Sequence, residues 1–416
     1  MAKQSTAPAA SSAPNYLMPF IIVTALFGIF GFLTNLNSNL APKLEDIFNL
    51  NHMWSNFVTT SWFLAYLVFS VPSGKLIEKI GYKRTMVTSL FIMVVGALLF
   101  IPAALMVSFP VFLTASFVLA TGVCVLQVSA NPYVSILGPE SSAPARLTLA
   151  QAFNSLGSGL APLVVGYYIL TDNTVTDPKA IAHTVMGPYI AIAAALFVLG
   201  FTVMFLHLPA VTRSESFRPG DEGAPTPGRS IWSYKHTVLS MVGIFFYVGV
   251  EIALAANAIK FFKTQGIDSK DTAALLASFY MFAIMIGRFA GTVAMKKIRA
   301  NVLLAGLGFF GVALMLLAMS TTGTVAVWSL ILCGLANSIM YPTIFALGIA
   351  ELGPLTSEGS GIISIGNFGG AVIPPLFGAL AVAMSFQRAF ILPIICYIFI
   401  AYYGLSGYKP TRSAAA

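Results

Sequence analysis

Asn35, Asn37, Gln127, Asn131, Gln151, Asn154, Glu251, Asn257, Tyr341 and Asn367 all fall inside long apolar runs of this chain. Polar side chains are costly in such surroundings, so these residues either do work or join helices. An amide donates and accepts hydrogen bonds at once, which suits the paired hydroxyls of a polyol. A tyrosine ring suits the apolar C–H face of a pyranose. Gln151 and Asn154 are three apart, so one helical face presents both. Singly, each amide could equally serve an interhelical hydrogen bond. Spread over several segments, they point together to a polar central cavity for a neutral solute rich in hydroxyls.

Of the 14 Asp and Glu, Glu251 alone lies deep in an apolar run. A carboxylate there could bind a proton, bind sodium, accept bonds from sugar hydroxyls, or simply partner a helix end or an amide. Arg288 is the one cation well inside a run of the second half and a candidate partner for it. Asp46, at the end of the first run, could reach an outward vestibule. No nucleophile–base pair, phosphate loop or metal-type spacing is visible, and His52, His183, His207 and His236 sit at the ends of runs. Cys124, Cys333 and Cys396 lie in apolar runs, where a thiol behaves as a small hydrophobe. The expectation is a protein that is not an enzyme and has no resident cofactor, with H+ or Na+ as possible coupling ions.

The elements that must position these residues are helices in a bilayer. Of 416 residues, 57% are apolar and 9% charged, whereas about a quarter of an ordinary soluble domain is charged. About twelve segments are long enough to span hydrocarbon: 17–41, 54–78, 84–106, 109–137, 146–171, 186–208, 237–262, 272–295, 301–320, 325–350, 359–384 and 388–406. The 22 Lys and Arg cluster in alternate connections. Lys75, Lys79, Lys83, Arg84, Arg146, Arg213, Arg218, Arg229, Lys235, Lys296, Lys297 and Arg299 share one side with both termini. That bias predicts cytoplasmic termini and explains the basic balance without nucleic acid. Residues 1–15 lack a basic start and apolar core, so they read as a tail and not a cleaved signal.

Residues 209–235, rich in Pro, Gly and charge, read as a cytoplasmic linker. They separate a bundle over 16–208 from a second over 236–408, with a short tail over 409–416. An internal repeat supports the same division. "NPYVSILG" is echoed by "YPTIFALG", pairing Pro132 with Pro342 and Gly138 with Gly348. Asn154, Gly157 and Pro162 pair likewise with Asn367, Gly370 and Pro375. The fold expected is an all-α membrane protein of twelve transmembrane helices, two six-helix bundles related by a pseudo-two-fold repeat.

Between the second and third segments, "GKLIEKIGYKR" carries Gly74, Glu78, Lys79, Gly81, Lys83 and Arg84. This resembles the Gly-x-x-x-Asp-Arg-x-Gly-Arg-Lys loop of the major facilitator superfamily. With Arg146 it is expected to form a cytoplasmic gating loop. "NLNSNLAPK", "SANPYVSILGPESS", "RLTLAQAFNSLGS", "FYVGVE", "IGRFAGT" and "YPTIFALGI" resemble the fucose–galactose–proton symporter family within it, from about residue 20 to about 385. The resemblance implies a monosaccharide cargo and alternating access about a central site. It also implies that Gln151 and Asn154 contact the sugar and that Tyr341 is the aromatic at the cavity.

Two departures bear on the driving force. The family's proton-coupled pattern has an Asp after "NLN" and a Glu five residues before the Pro of "ANP"; here Ser38 and Gln127 stand there. Neither titrates in the relevant range, so neither can store a proton. Proton symport, sodium symport through Glu251 and uncoupled uniport all stay open. A carrier of another neutral solute and a non-transporting sugar receptor are the alternatives in kind. The expected setting is the bacterial inner membrane, crossed many times by a monomer whose partners are a monosaccharide and the lipid bilayer.

Overall fold

The computed structural model describes residues 16–47, 52–168, 178–206, 208 and 230–410, with side chains described except at 36–57, 162–185 and 270. Residues 1–15, residues 411–416 of the expected tail at 409–416, most of the linker, and the side chains of Asn37, Ser38 and Asp46 lie outside these residues. Among the described residues all regular structure is helical. The first half comprises α1 (Leu17–Ile47), α2 (His52–Leu105), α3 (Phe109–Ile136), α4 (Ala143–Tyr168) and α5 (Pro178–Phe205). The second comprises α6 (Lys235–Thr264), α7 (Lys270–Ala294), α8 (Ala300–Ser320), α9 (Thr324–Asn337), α10 (Met340–Gly348), α11 (Thr356–Ile365), α12 (Gly369–Met384), α13 (Phe386–Ala389) and α14 (Ile391–Tyr402).

Ten stretches of the described residues are long and apolar enough to cross a membrane. One of them, Val58–Leu105, has 48 residues, enough for two passes, and it bends at Gly81, where φ is +80°. Only a residue without Cβ takes that conformation freely, so the glycine makes the turn between the second and third passes. The remaining pass is α4, whose described part is diluted by Arg146, Gln151, Asn154, Ser155 and Ser158. The tenth expected segment is broken into α9 and α10, and the eleventh into α11 and α12 around a 3-10 turn at Gly366–Phe368. An even number of passes leaves residues 16 and 410 at one end of the bundle, hereafter the terminal end.

Small residues let these helices approach closely in a setting where packing replaces the hydrophobic drive. A Cβ on Gly157 would lie 1.9 Å from Gly28 O, and one on Gly369 would lie 1.9 Å from Phe245 O. So α4 grips α1 as α12 grips α6. The repeat pairs Gly157 with Gly370, yet Gly369 does the equivalent work. The tighter 3-10 turn at Gly366–Phe368 advances the helix face by most of a residue. Residues 230–235, expected in the linker, are folded: Ile231–Ser233 form a 3-10 turn, and Ile231 and Tyr234 are buried. In the second half, Asn337 ties three passes together, donating to Tyr280 Oη at 2.7 Å and accepting from Tyr397 Oη at 2.8 Å.

Candidate functional site

Four of the residues singled out from the sequence converge between the halves. Gln151 Nε2 donates to Asn131 Oδ1 at 3.3 Å, and Asn131 Nδ2 donates to Tyr341 Oη at 3.4 Å. Asn367, in the 3-10 turn, lies beside the same hydroxyl and donates to Ser364 O at 2.9 Å. All four side chains are buried. Both bonds in the Gln151–Asn131–Tyr341 chain are long, so ligand hydroxyls could replace them at little cost. Gln127 sits one turn before Asn131 on α3, and its Oε1 is buried with no hydrogen-bond partner. Such an oxygen is an acceptor waiting for a donor. The Tyr247 and Tyr341 rings stand 6.0 Å apart, with Tyr66 also buried beside Tyr341.

Glu251 is half-buried on α6, one turn beyond Tyr247. It lies within electrostatic reach of Tyr247 and Arg288, and the Tyr247 hydroxyl is buried without a hydrogen bond of good geometry. Arg288, on α7, is buried and reaches across the interface. It donates to Ser338 O at 3.2 Å in its own half, to Gln151 O at 3.0 Å in the other, and to Ser155 Oγ.

The repeated prolines explain two of these contacts. Proline has no N–H, so the carbonyl four residues before it has no intrahelical donor. For Pro132 that carbonyl is Val128 O, which accepts from Ser360 Oγ of the other half at 2.7 Å. For Pro342 it is Ser338 O, which accepts from Arg288. The repeat thus leaves equivalent carbonyls open in both halves. One bridges the halves directly, and the other seats the arginine that does so.

Further cross-half contacts lie toward the terminal end. Ser357 Oγ donates to Tyr82 Oη at 3.2 Å, and Glu351 N donates to Glu140 Oε1 at 3.0 Å. A Cβ on Gly74 would lie 2.7 Å from Ser357 O, and one on Gly361 2.7 Å from Ser70 O. The two halves are therefore pressed together at that end.

The other expected site residues are placed differently. Asn154 donates to Phe27 O at 3.0 Å, tying α4 to α1. Asn257 donates to Ala253 O of its own helix at 2.9 Å, two turns beyond Glu251. Asn35 is half-buried near the limit of the described side chains. Of the expected gating loop, Gly74 touches the other half, while Glu78, Lys79, Gly81 and Arg84 are exposed and Lys83 is half-buried. Arg146 caps the end of α3, donating to Val134 O, Ser135 O and Pro139 O. Three contributors escaped the sequence reading: Tyr247, Ser155 and Ser360. The first two carried a signal, since each is four residues from a singled-out residue, on the same helical face as Glu251 and Gln151 respectively.

Residues 20–365 match the sequence profile of the Major Facilitator Superfamily. The chain is 42% identical over 403 residues to a glucose/galactose transporter of Brucella abortus, with 96% of each covered. It is 31% identical over 412 residues to the L-fucose-proton symporter of Escherichia coli, covering 94% of this chain and 93% of that one. Its fold is similar to the crystal structure of the transporter FucP in the outward conformation, with a TM-score of 0.85 and 28% identity over 95% of this chain and 99% of that one.

Proposed function

The chain belongs to the Major Facilitator Superfamily, and on that premise we propose that it carries a monosaccharide across the bacterial inner membrane by alternating access. The observation that carries this reading is the buried Gln151–Asn131–Tyr341 chain between the halves, with the unpartnered Gln127 oxygen one turn away. Loose amide–amide and amide–phenol bonds exchange readily for those of a sugar's hydroxyls. The relatives named for glucose, galactose and L-fucose transport support a hexose or 6-deoxyhexose as the cargo. The sugar lies against Tyr66, Tyr247 and Tyr341, and Asn367 and Glu251 complete the site from the second half. Asn35 and Asn37 contribute from the first segment.

The charge bias supports cytoplasmic termini. The terminal end, closed by Ser360, Arg288 and Gly74, then faces the cytoplasm, and the arrangement is the outward-facing one. A monomer suffices, because the site lies between two halves of one chain. Coupling runs through Glu251, the carboxylate beside Tyr247 and Arg288, with a proton or sodium as the coupling ion. A second reading, uncoupled uniport, is favoured by Ser38 and Gln127 standing where the proton-coupled pattern has acids.

Uptake of labelled D-glucose, D-galactose and L-fucose into proteoliposomes separates these readings. Accumulation above equilibrium under a proton or sodium gradient supports coupled transport, and Glu251→Gln should abolish that component. Uptake that stops at equilibrium under every gradient supports the uniporter. No specific uptake or exchange of any of the three sugars would sink the monosaccharide reading.

A further inference from the structure

Arg288 divides its hydrogen bonds between the two halves, and that division has a mechanical consequence. Nε donates to Ser338 O, a carbonyl that Pro342 leaves open in the same half. The Nη1 group serves Gln151 O and Ser155 Oγ, both on α4 of the other half. When the halves part at the terminal end, the bond to Ser338 travels with α7 and those to α4 must break. A buried guanidinium that loses acceptors is strongly disfavoured unless another acceptor replaces them. Glu251, in the same half and within electrostatic reach, is the group placed to do so, with the Tyr247 hydroxyl beside it.

On the alternating-access reading, we propose that Arg288 is a latch across the terminal-end gate and that Glu251 is its release. With the end closed, the guanidinium rests on Gln151 O and Ser155 Oγ. As the end opens, the Glu251 carboxylate takes the guanidinium over in its own half and holds the end open. Arg288 is thus a positioning residue whose choice of acceptor sets the position of a gate. It need not touch the sugar. The backbone of Gln151 carries the latch while its side chain faces Asn131, so the gate and the candidate sugar site share one helical turn.

The test is a distance measurement. Ser141 and Lys297 are exposed and line one cleft between the halves at the terminal end, and the native cysteines are buried. Spin labels on a Ser141→Cys, Lys297→Cys pair, in the full chain in nanodiscs, report a short distance when that end is closed and a longer one when it opens. Arg288→Gln should raise the ratio of long to short by about tenfold, the effect of losing a charge-assisted hydrogen bond. Ser155→Ala, a mild change, should move it in the same direction by about threefold. Glu251→Gln should lower the ratio, but should have no effect in an Arg288→Gln background, since the two act as one unit. Arg288→Lys should recover part of the closed population. Should Ser155→Ala leave the distribution at its wild-type position, the latch is refuted even where Arg288→Gln fails to fold. An equal effect of Glu251→Gln with and without Arg288 would refute the release. Neither outcome depends on whether D-glucose, D-galactose or L-fucose binds, so failure of the sugar reading shows separately in the uptake assay.

Discussion

Asn131 and Tyr341 stand 210 residues apart, the offset of the internal repeat, and the amide of one donates to the hydroxyl of the other at 3.4 Å. Each directly precedes one of the paired prolines, Pro132 and Pro342. Residues equivalent by duplication therefore meet across the pseudo-two-fold relation between the halves. A contact there suits a carrier, because halves that rock against each other move least near their shared axis. The pair is chemically unequal, amide against phenol, so a solute bound at it meets a polar side and an aromatic side.

Tyr341→Phe removes the hydroxyl and keeps the ring, which stacks on Phe345 at a centroid separation of 6.2 Å. Folding should change little, since the bond lost is long. Sugar affinity should fall by about five- to tenfold, the share of one neutral hydrogen bond. Isothermal titration with the best substrate of the uptake panel measures this. An unchanged affinity would remove the hydroxyl from the site.

Gln127→Leu separates a ligand acceptor from a structural amide. The Gln127 oxygen is buried without a partner, so deleting it leaves no other group stranded. Thermal stability should hold or rise, by up to ~1 kcal/mol. Hexose binding should weaken by about tenfold or more, because an oxygen kept unpaired in the empty protein gains most from a donor. A drop in melting temperature with affinity intact would make Gln127 a packing residue.

Asn154 tests the sequence reading most directly. Its resemblance to a sugar-contacting position rests on type and motif, but in the fold its amide donates to Phe27 O. A Cβ on Gly31 would lie 2.2 Å from Asn154 O, so α1 and α4 are in contact at this turn. Asn154→Ala should lower the melting temperature, by about 1 kcal/mol of lost hydrogen bonding, and leave hexose affinity within about threefold. Gly31→Ala should be worse, because the obstructing atom is backbone and overpacking costs about 1–3 kcal/mol. A large loss of affinity in Asn154→Ala at unchanged stability would return that residue to the sugar.

These cases mark what a sequence can carry. The helical passes, their parity and the repeat are written in hydropathy and spacing, and Gly81 announces its turn through residue type alone. Asn131, Gln151, Tyr341 and Asn367 were legible because polar groups in apolar runs are few. Which amides face the interface was not legible, because Asn154 and Asn131 look alike until helix rotation is known. The one-residue shift between Gly369 and Gly370 was hidden too, since a 3-10 turn leaves no composition mark in "SIGNFGG". The role of Ser360 follows only from pairing a proline on one helix with a hydroxyl on another, 228 residues apart.

Gly74→Val asks whether closure at the terminal end depends on the close approach of α2 and α11. A side chain there meets Ser357 O, a backbone atom of the other half, which cannot swing away. Either the halves separate at that end or one of the helices must shift within its own bundle. The first is cheaper, because contacts between halves are built to part while those within a half are continuous packing. Gly96→Val is the matched control: its Cβ would lie 2.5 Å from Leu119 N, within the first half. With Ser141→Cys as a reporter, Gly74→Val should speed reaction with a charged thiol reagent and reduce gradient-driven accumulation, at a small cost in melting temperature. Gly96→Val should do the reverse, lowering the melting temperature by several degrees and leaving thiol reactivity unchanged. If both variants lose stability alike and neither changes the reporter, the Gly74 contact is ordinary packing and the gate must be carried by Ser360 and Arg288.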